Sequence, residues 1–292
     1  MPTPPSISVI TVTRNLIEAG RGDGFEQVIA CVRAQNCAGV EHVIQDGAST
    51  DGTDVLIDGL IGADPAIRFE SAPDKGLYDG MNKAVERARG DYVLFLNSDD
   101  ALATDHVLGD AQADLGREMP DFAFGSTASQ DEAGNETVTR RMSLNAVLQR
   151  MPFCHNSVFI RRDVFLALGG HDTRFPVAAD YDLVLRLVAK GYRGLKLDFP
   201  VSLFWTRGVS GDDDLVGLDY ARAWQQFFRN HTTAQQFDLD DFRRFYRRGH
   251  MPFALMLETL RRPDMNAQIR AAARHGAFKS MRRALQPWRS FE

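Results

Sequence analysis

The sequence predicts an α/β fold: a mostly parallel sheet with covering helices and a helical C-terminal region. Three observations carry this. Short apolar, β-branched runs recur through the first hundred residues. Between them lie stretches with apolar residues at spacings of three and four. Polar residues follow each run at once, and in open α/β sheets ligands bind beyond the carboxyl ends of the strands.

Taken in order, Ile7–Thr13 reads as the first buried strand, 40–45 as the second, Ile67–Ser71 as the third and 92–96 as the fourth. Residues 25–35, Thr53–Ile61 and 78–88 carry helical periodicity, so the first hundred residues alternate strand and helix as a parallel sheet requires. Beyond Asp121 the pattern is mixed, with strands expected at 122–126, 156–160 and 194–197 and helices at 162–168 and 180–190. After Asp212 it is mostly helical, with Pro252, Pro263 and Pro287 as breaks.

The chain of 292 residues, 44% hydrophobic, can bury a full core. The expected organisation is a domain over 1–210, with a nucleotide-binding half at 1–100 and an acceptor half at 101–210, followed by a helical extension over 211–292. No stretch approaches a membrane span and Met1 to Ser6 lacks the regions of a signal peptide, so a cytoplasmic protein is expected. Cys31, Cys37 and Cys154 lack CxxC spacing, which suggests neither a disulfide framework nor a zinc site.

A net charge of -5 argues against a nucleic-acid partner. Charge is uneven, however: residues 261–292 hold eight Arg and Lys against two acidic residues, a net of +6. Such a basic tail suits an anionic membrane surface, which would make the protein peripheral at the inner face of the plasma membrane. A solvated helix face is the competing reading.

Four strings could carry chemistry. Asp99 and Asp100 follow the fourth strand, and adjacent carboxylates there suit a hard cation, Mn²⁺ or Mg²⁺, that also holds substrate phosphates. An N-cap is the alternative. Asp46 ends the second strand and could accept from an N–H of a base ring, whereas Asp51 and Thr53 read as caps for the next helix. Lys75 lies in a loop, and Asp79, Asn82 and Lys83 share a helix face, suited to a phosphate or ribose or to ion pairs within the helix. Asp180 would begin a helix, where the dipole keeps a carboxylate ionised, as a general base or a cap requires. Neither GxGxxG nor GxxxxGK[ST] occurs.

In this order the strings resemble the family-2 glycosyltransferases with the Rossmann-like GT-A fold, especially bacterial exopolysaccharide and colanic-acid-type members. Ser8 to Asn15 is similar to the family's opening strand, and Asp46 to Thr53 to its aspartate-glycine-serine-threonine string with Ala48 inserted. Pro73 to Asp79, Asn97 to Asp100 and Ala179 to Leu183 supply the remaining matches. The resemblance covers about residues 6 to 210 and implies a metal-dependent, inverting transferase. Its donor would be a nucleoside-diphosphate-sugar, with UDP expected, and its acceptor a glycan or lipid-linked hydroxyl.

Carried over by position, Asp46 would contact the nucleobase, Asp99 the ribose or donor, Asp100 the metal with Asp99 beside it, and Asp180 the acceptor hydroxyl as base. Thr11, Thr13, Arg14 and Asn15 would line the nucleotide pocket, with Lys75, Asp79 and Asn82 on the donor. His155 and Asp182 would lie on the acceptor side. Two departures are Asn97, where a full DxD has aspartate, and Ala179, where glutamate often precedes the base. Trp205 and Arg207 are further candidates for gripping a sugar or phosphate, with packing the competing reading. A nucleotidyltransferase would need a glycine-rich loop after the first strand, which 14–18 is not; a non-catalytic nucleotide-sugar binder would lack Asp180.

Overall fold

The computed structural model describes residues 4–130, 136–138, 142–205 and 213–285. Arg207, Pro287 and Arg289 therefore lie outside the described residues, as does the side chain of Trp205. The chain forms two compact units that interleave in sequence. The first takes residues 1–142, 153–173 and 193–208, and the second 143–152, 174–192 and 209–292.

The first unit opens as the alternation predicts: β1 (Ile7–Thr13), α1 (Gly22–Arg33), β2 (Val40–Asp46), α2 (Thr53–Ile61), β3 (Ile67–Ser71), α3 (Leu77–Arg87) and β4 (Tyr92–Phe95). It continues with β5 (Ala101–Leu102), α4 (Val107–Glu118), β6 (Phe122–Gln130), β7 (Glu136–Val138), β8 (Val158–Arg161) and α5 (Arg162–Ala167). After α6 (Ala179–Ala189) of the second unit, β9 (Gly194–Trp205) returns to the sheet.

The sheet order is β3-β2-β1-β4-β8-β6-β9-β5, with β7 on β6. The pairings set β5, β7 and β8 against the direction of the other six strands. The chain leaves β1 on one side for β2 and β3 and returns on the other for β4, so the strand order reverses at β1 and β4. Crevices at such a reversal are where open α/β sheets bind ligands. Burial follows the helical period: Phe25, Val28, Ile29 and Val32 of α1, and Tyr78, Met81, Ala84 and Val85 of α3, face the sheet.

Beyond the short unforeseen strands β5 and β7 and the extension of β6 to Gln130, three differences from the sequence expectation have clear physical reasons. Between the fourth strand and Asp121 the pattern shows no helix, yet α4 forms there. Its polar residues and two glycines mask the stripe of Val107, Leu108, Ala111 and Leu115 that it buries. The strand expected at 194–197 runs on to Trp205, because register shifts between Phe124 and Thr127 let Pro200 pair opposite Ser126. The strand expected from 156 begins at Val158, after a 3₁₀ turn at His155–Ser157.

In the second unit α6 is joined by α7 (Asp213–Phe228), α8 (Leu239–Arg248), α9 (Phe253–Arg261) and α10 (Ala267–Ala284). Tyr181 of α6 stacks on Tyr220 of α7 with centroids 4.0 Å apart. The Tyr181 hydroxyl accepts from Trp224 Nε1 at 2.6 Å and donates to the Val147 carbonyl at 2.6 Å. Tyr181 and Trp224 are fully buried, and their satisfied polar ends make the cluster a fixed mount for the start of α6.

Candidate active site

Parallel register places Thr13, Asp46 and Ser71 side by side at the ends of β1, β2 and β3. The Asp46 carboxylate is wholly buried and binds all three strand ends together. Its Oδ1 accepts from the hydroxyls of Thr13, at 3.1 Å, and Ser49; its Oδ2 accepts from the Ser49 amide at 2.8 Å and the Ser71 hydroxyl at 2.7 Å. Four bonds account for the acceptor capacity of a carboxylate. Where the sequence placed Asp46 against a nucleobase, the structure has it shaping the 46–53 loop.

Asn15 ties that loop to the end of β1. It adopts φ 47°, its amide N–H donates to Ser49 Oγ at 2.7 Å, and its side-chain oxygen accepts from Thr50 N at 3.1 Å. Asp51 Oδ1 accepts from Thr53 N at 3.0 Å at the start of α2, whose N-cap position is Gly52 with no side-chain cap. Thr53, expected as a cap, instead accepts at Oγ1 from Leu16 N at 2.8 Å and ties the helix start to the chain after β1. Arg14 is left exposed at the rim, 4.0 Å from Asp74. Thr11, expected on the pocket lining, is instead wholly buried against His42, whose Nε2 lies 2.9 Å from its hydroxyl. Burial, with Arg33 nearby, pushes His42 down to about 3, so this pair is a neutral core contact.

Asp74 is the residue that sequence reasoning left without a role. Its side chain is only 7% exposed and accepts from Gly76 N at 3.0 Å. Two glycines make room for it: a Cβ on Gly47 would lie 2.7 Å, and one on Gly80 2.9 Å, from Asp74 Oδ2. Gly47, just after β2, and Gly80, on the buried face of α3, were the available signal. Gly80→Ala is therefore expected to lower stability by about 1–3 kcal/mol through overpacking and to weaken UDP binding by displacing Asp74. A thermal melt and calorimetry on the variant check this; unchanged values would mean that Asp74 is not held by the close approach.

The remaining donor candidates are bound within the chain. Asp79 accepts from Lys75 N at 2.9 Å and pairs with Lys83 at 2.8 Å; Lys83, then Lys75, holds its carboxyl below the usual range. Only the exposed side chain of Lys75 is presented outward. Asn82 exchanges two 2.8 Å bonds with the His171 backbone, giving from Nδ2 and accepting at Oδ1. Its amide thus anchors the 170–171 loop rather than a ribose.

The acidic corner lies just past β4. Asp100 is 4% exposed, and its Oδ2 accepts from Asn97 Nδ2 at 3.0 Å and from Asn156 Nδ2. Burial first, and the Asp99 charge second, push Asp100 up to about 6. Asp99 is half-exposed and lies 3.7 Å from Arg21. His155 Nε2 lies 3.4 Å from Asn97 Oδ1, so this histidine, expected on the acceptor side, borders the acidic corner. Asn156 was not foreseen, and its buried Oδ1 has no hydrogen-bond partner among the described residues.

A buried carboxylate next to a second, half-exposed one and beside an orphaned amide oxygen fits a hard cation, which takes oxygen ligands. Among the described residues no three His, Cys, Asp or Glu gather as a ready-made metal site. The protein would thus supply one or two oxygens, and the rest would come from phosphates and water, as is usual for Mg²⁺-type ions.

In the second unit, Asp180 is half-buried in the first turn of α6 and accepts from its neighbour Tyr181 N at 2.8 Å. The N–H groups just ahead of the helix, on Val177 and Ala178, donate to Asp219 of α7 at 2.9 and 3.1 Å. Tyr220, raised by burial first and Asp180 second, stays a neutral phenol. Asp182, expected on the acceptor side, is 3% exposed with its Oδ2 2.6 Å from Arg186 Nε. That buried ion pair suits packing better than contact with a substrate.

A mostly one-directional sheet with its polar residues gathered at the strand-order reversal and an acidic corner after β4 is the GT-A glycosyltransferase fold. Residues 8–169 match the Glycosyl transferase family 2 model, and the chain belongs to that family. It is a glycosyltransferase. An uncharacterized glycosyltransferase of Mycobacterium tuberculosis is 31% identical over 193 residues, 64% of this chain and 70% of the relative. A PGL/p-HBAD biosynthesis glycosyltransferase of Mycobacterium bovis is 29% identical over 184 residues, 62% of this chain and 69% of the relative.

Among solved structures, S. aureus TarS 1–349 in complex with UDP superposes at TM-score 0.59 with 16% identity, over 98% of this chain and 94% of that one. The mannosyltransferase PcManGT from Pyrobaculum calidifontis, in complex with GDP-Man and Mn²⁺, also reaches 0.59, with 19% identity over 98% of this chain and 82% of its own. These two likenesses speak to the fold. No helix among the described residues is long and apolar enough to cross a membrane.

Proposed function

We propose that the chain is an inverting transferase that moves a sugar from a nucleoside-diphosphate-sugar, first of all a UDP-sugar, to a hydroxyl of a glycan or lipid-linked acceptor in cell-surface polysaccharide biosynthesis. The observation that carries this is the buried Asp100 carboxylate after β4, raised by its burial and by the half-exposed Asp99 beside it, next to the strand whose end is bound to the Asp46 loop. Support comes from the fold neighbours seen with UDP, and with GDP-Man and Mn²⁺. In this reading residues 1–100 hold the nucleotide, 101–210 serve the acceptor, and 211–292 form the extension.

Asp100, with Asp99, would hold Mn²⁺ or Mg²⁺, which when bound neutralises charge on the departing diphosphate. Arg14 and Lys75, both exposed cations at the rim, meet phosphate oxygens. Thr13, Asn15, Asp46 and Asp74 shape the floor on which the nucleoside lies. Asp180 takes the proton of the acceptor hydroxyl as that oxygen attacks the anomeric carbon opposite the leaving group. One displacement turns an α-linked donor into a β-linked product. The basic 261–292 segment would keep the enzyme at an anionic membrane, at the inner face of the plasma membrane, where lipid-linked acceptors lie.

Thermal-shift screening of UDP-, GDP- and dTDP-sugars with and without Mn²⁺ identifies the donor, and NMR of the product gives its anomeric configuration. A metal-dependent shift with one nucleotide class and an inverted product are expected. Retention of configuration would exclude the single displacement.

A further inference from the structure

The outward face of α10 carries apolar side chains where a solvated helix would carry polar ones. Ile269, Ala272, Ala273, Gly276, Ala277 and Ser280 form its buried face. The approach is close: a Cβ on Gly276 would lie 2.7 Å from Met256 Sδ of α9. At 100° per residue, Phe278, Met281 and Leu285 fall on the opposite side, and they are 56%, 46% and 75% exposed. Single exposed apolar residues are unremarkable, but three on one stripe mark an interaction surface.

Charge says what covers it. Arg274 and Arg282 fall within the same outward arc as the stripe, and Arg282 sits over the Phe278 ring, 5.9 Å from its centroid. Arg283 bonds to the Arg248 carbonyl, bringing the basic end of α8 to the same end of α10. Pairing of this face with itself in a second copy would set arginine against arginine in a self-complementary contact. An anionic bilayer surface instead satisfies both features, since phosphates meet the cations while the apolar stripe enters the headgroup–acyl boundary.

We propose that α10 is an interfacial anchor that inserts Phe278, Met281 and Leu285 into an anionic membrane surface, with Arg274 and Arg282 at the headgroups. This rests on the membrane reading given above for the basic segment and adds that insertion, beyond charge, supplies the affinity. The test is co-sedimentation of the 292-residue chain with vesicles of phosphatidylcholine alone or with phosphatidylglycerol, at low and high salt. The wild type is compared with the triple variant Phe278→Ser, Met281→Ser, Leu285→Ser and with the pair Arg274→Gln, Arg282→Gln.

The wild type is expected to pellet with the anionic vesicles, the serine variant to bind about tenfold or more weakly, and the glutamine variant to lose part of its binding. Because the altered side chains are exposed, melting temperature and UDP affinity should not move. Equal binding by the serine variant would overturn insertion and leave charge alone as the anchor. No binding by the wild type would overturn the membrane reading itself. A lipid-free dimer of the wild type that the serine variant abolishes, seen by sedimentation velocity, would assign the stripe to a second copy and overturn the proposal.

Discussion

Asp100→Asn is expected to make the protein more heat-stable and at the same time to remove metal-dependent donor binding. The carboxyl is pushed from 3.8 up to about 6, by burial and then by Asp99. A group whose folded-state pKa is raised contributes stability below its unfolded value, and that contribution is lost as pH rises through the folded value. Above about pH 6 the wild type therefore carries a buried charge at a cost on the order of 3 kcal/mol. Asparagine keeps an oxygen to accept from Asn97 and Asn156 and removes the charge, so the melt at pH 7.5 should rise by several degrees. The gain should shrink as pH falls from 6 towards 4.

Donor binding should move the other way, because the same charge is what a cation needs. Calorimetry with UDP and Mn²⁺ is expected to show the metal-dependent part of the affinity abolished in Asp100→Asn. In the wild type that affinity should fall as pH drops through 6, where Asp100 takes up a proton. Asparagine is preferred to alanine because alanine would strand the Asn97 and Asn156 amides in a buried site. Metal-dependent UDP affinity equal to wild type would remove Asp100 from the metal site, and a melt unchanged across this pH range would contradict the buried charge.

How much of this was legible beforehand depended on whether the information is local. The β1 to β4 half was readable because each buried parallel strand is a short apolar run and each helix repeats with its own period. The end of β9 was not, since Pro200 reads locally as a stop and is accommodated only by β6, some seventy residues earlier. Site residues divide the same way. Asp99 and Asp100 stand out as neighbours in sequence, while Asn156, which bonds to Asp100, comes from a turn 56 residues on. Asp46 was identified, but that its four acceptor sites are filled by Thr13, Ser49 and Ser71 depends on the register of three strands. Sequence spacing placed Asp79, Asn82 and Lys83 on one helix face and offered an ion pair within the helix, which Asp79 and Lys83 form, but gave no sign that Asn82 would bind the His171 backbone 89 residues on.

Asp180→Asn is expected to lower sugar transfer by about 10² to 10⁴-fold, the usual contribution of a general base, with little change in fold or donor affinity. The structure sharpens this over a reading of Asp180 as a cap. The N–H groups ahead of α6 are taken by Asp219, and the first turn is held by the Tyr181 bonds to Val147 and Trp224, none of which the variant touches. Asp180 itself accepts from the Tyr181 amide, a bond that an asparagine oxygen can also accept. The stability loss should therefore stay below the roughly 1 kcal/mol of a lost cap. Melting temperature, UDP affinity and transfer rate measured on one preparation separate the roles. A base gives a steep loss of transfer with the other two intact. Transfer near the wild-type rate would rule out Asp180 as base, and the proton would then have to leave through another group, which the buried, Arg186-paired Asp182 is poorly placed to be.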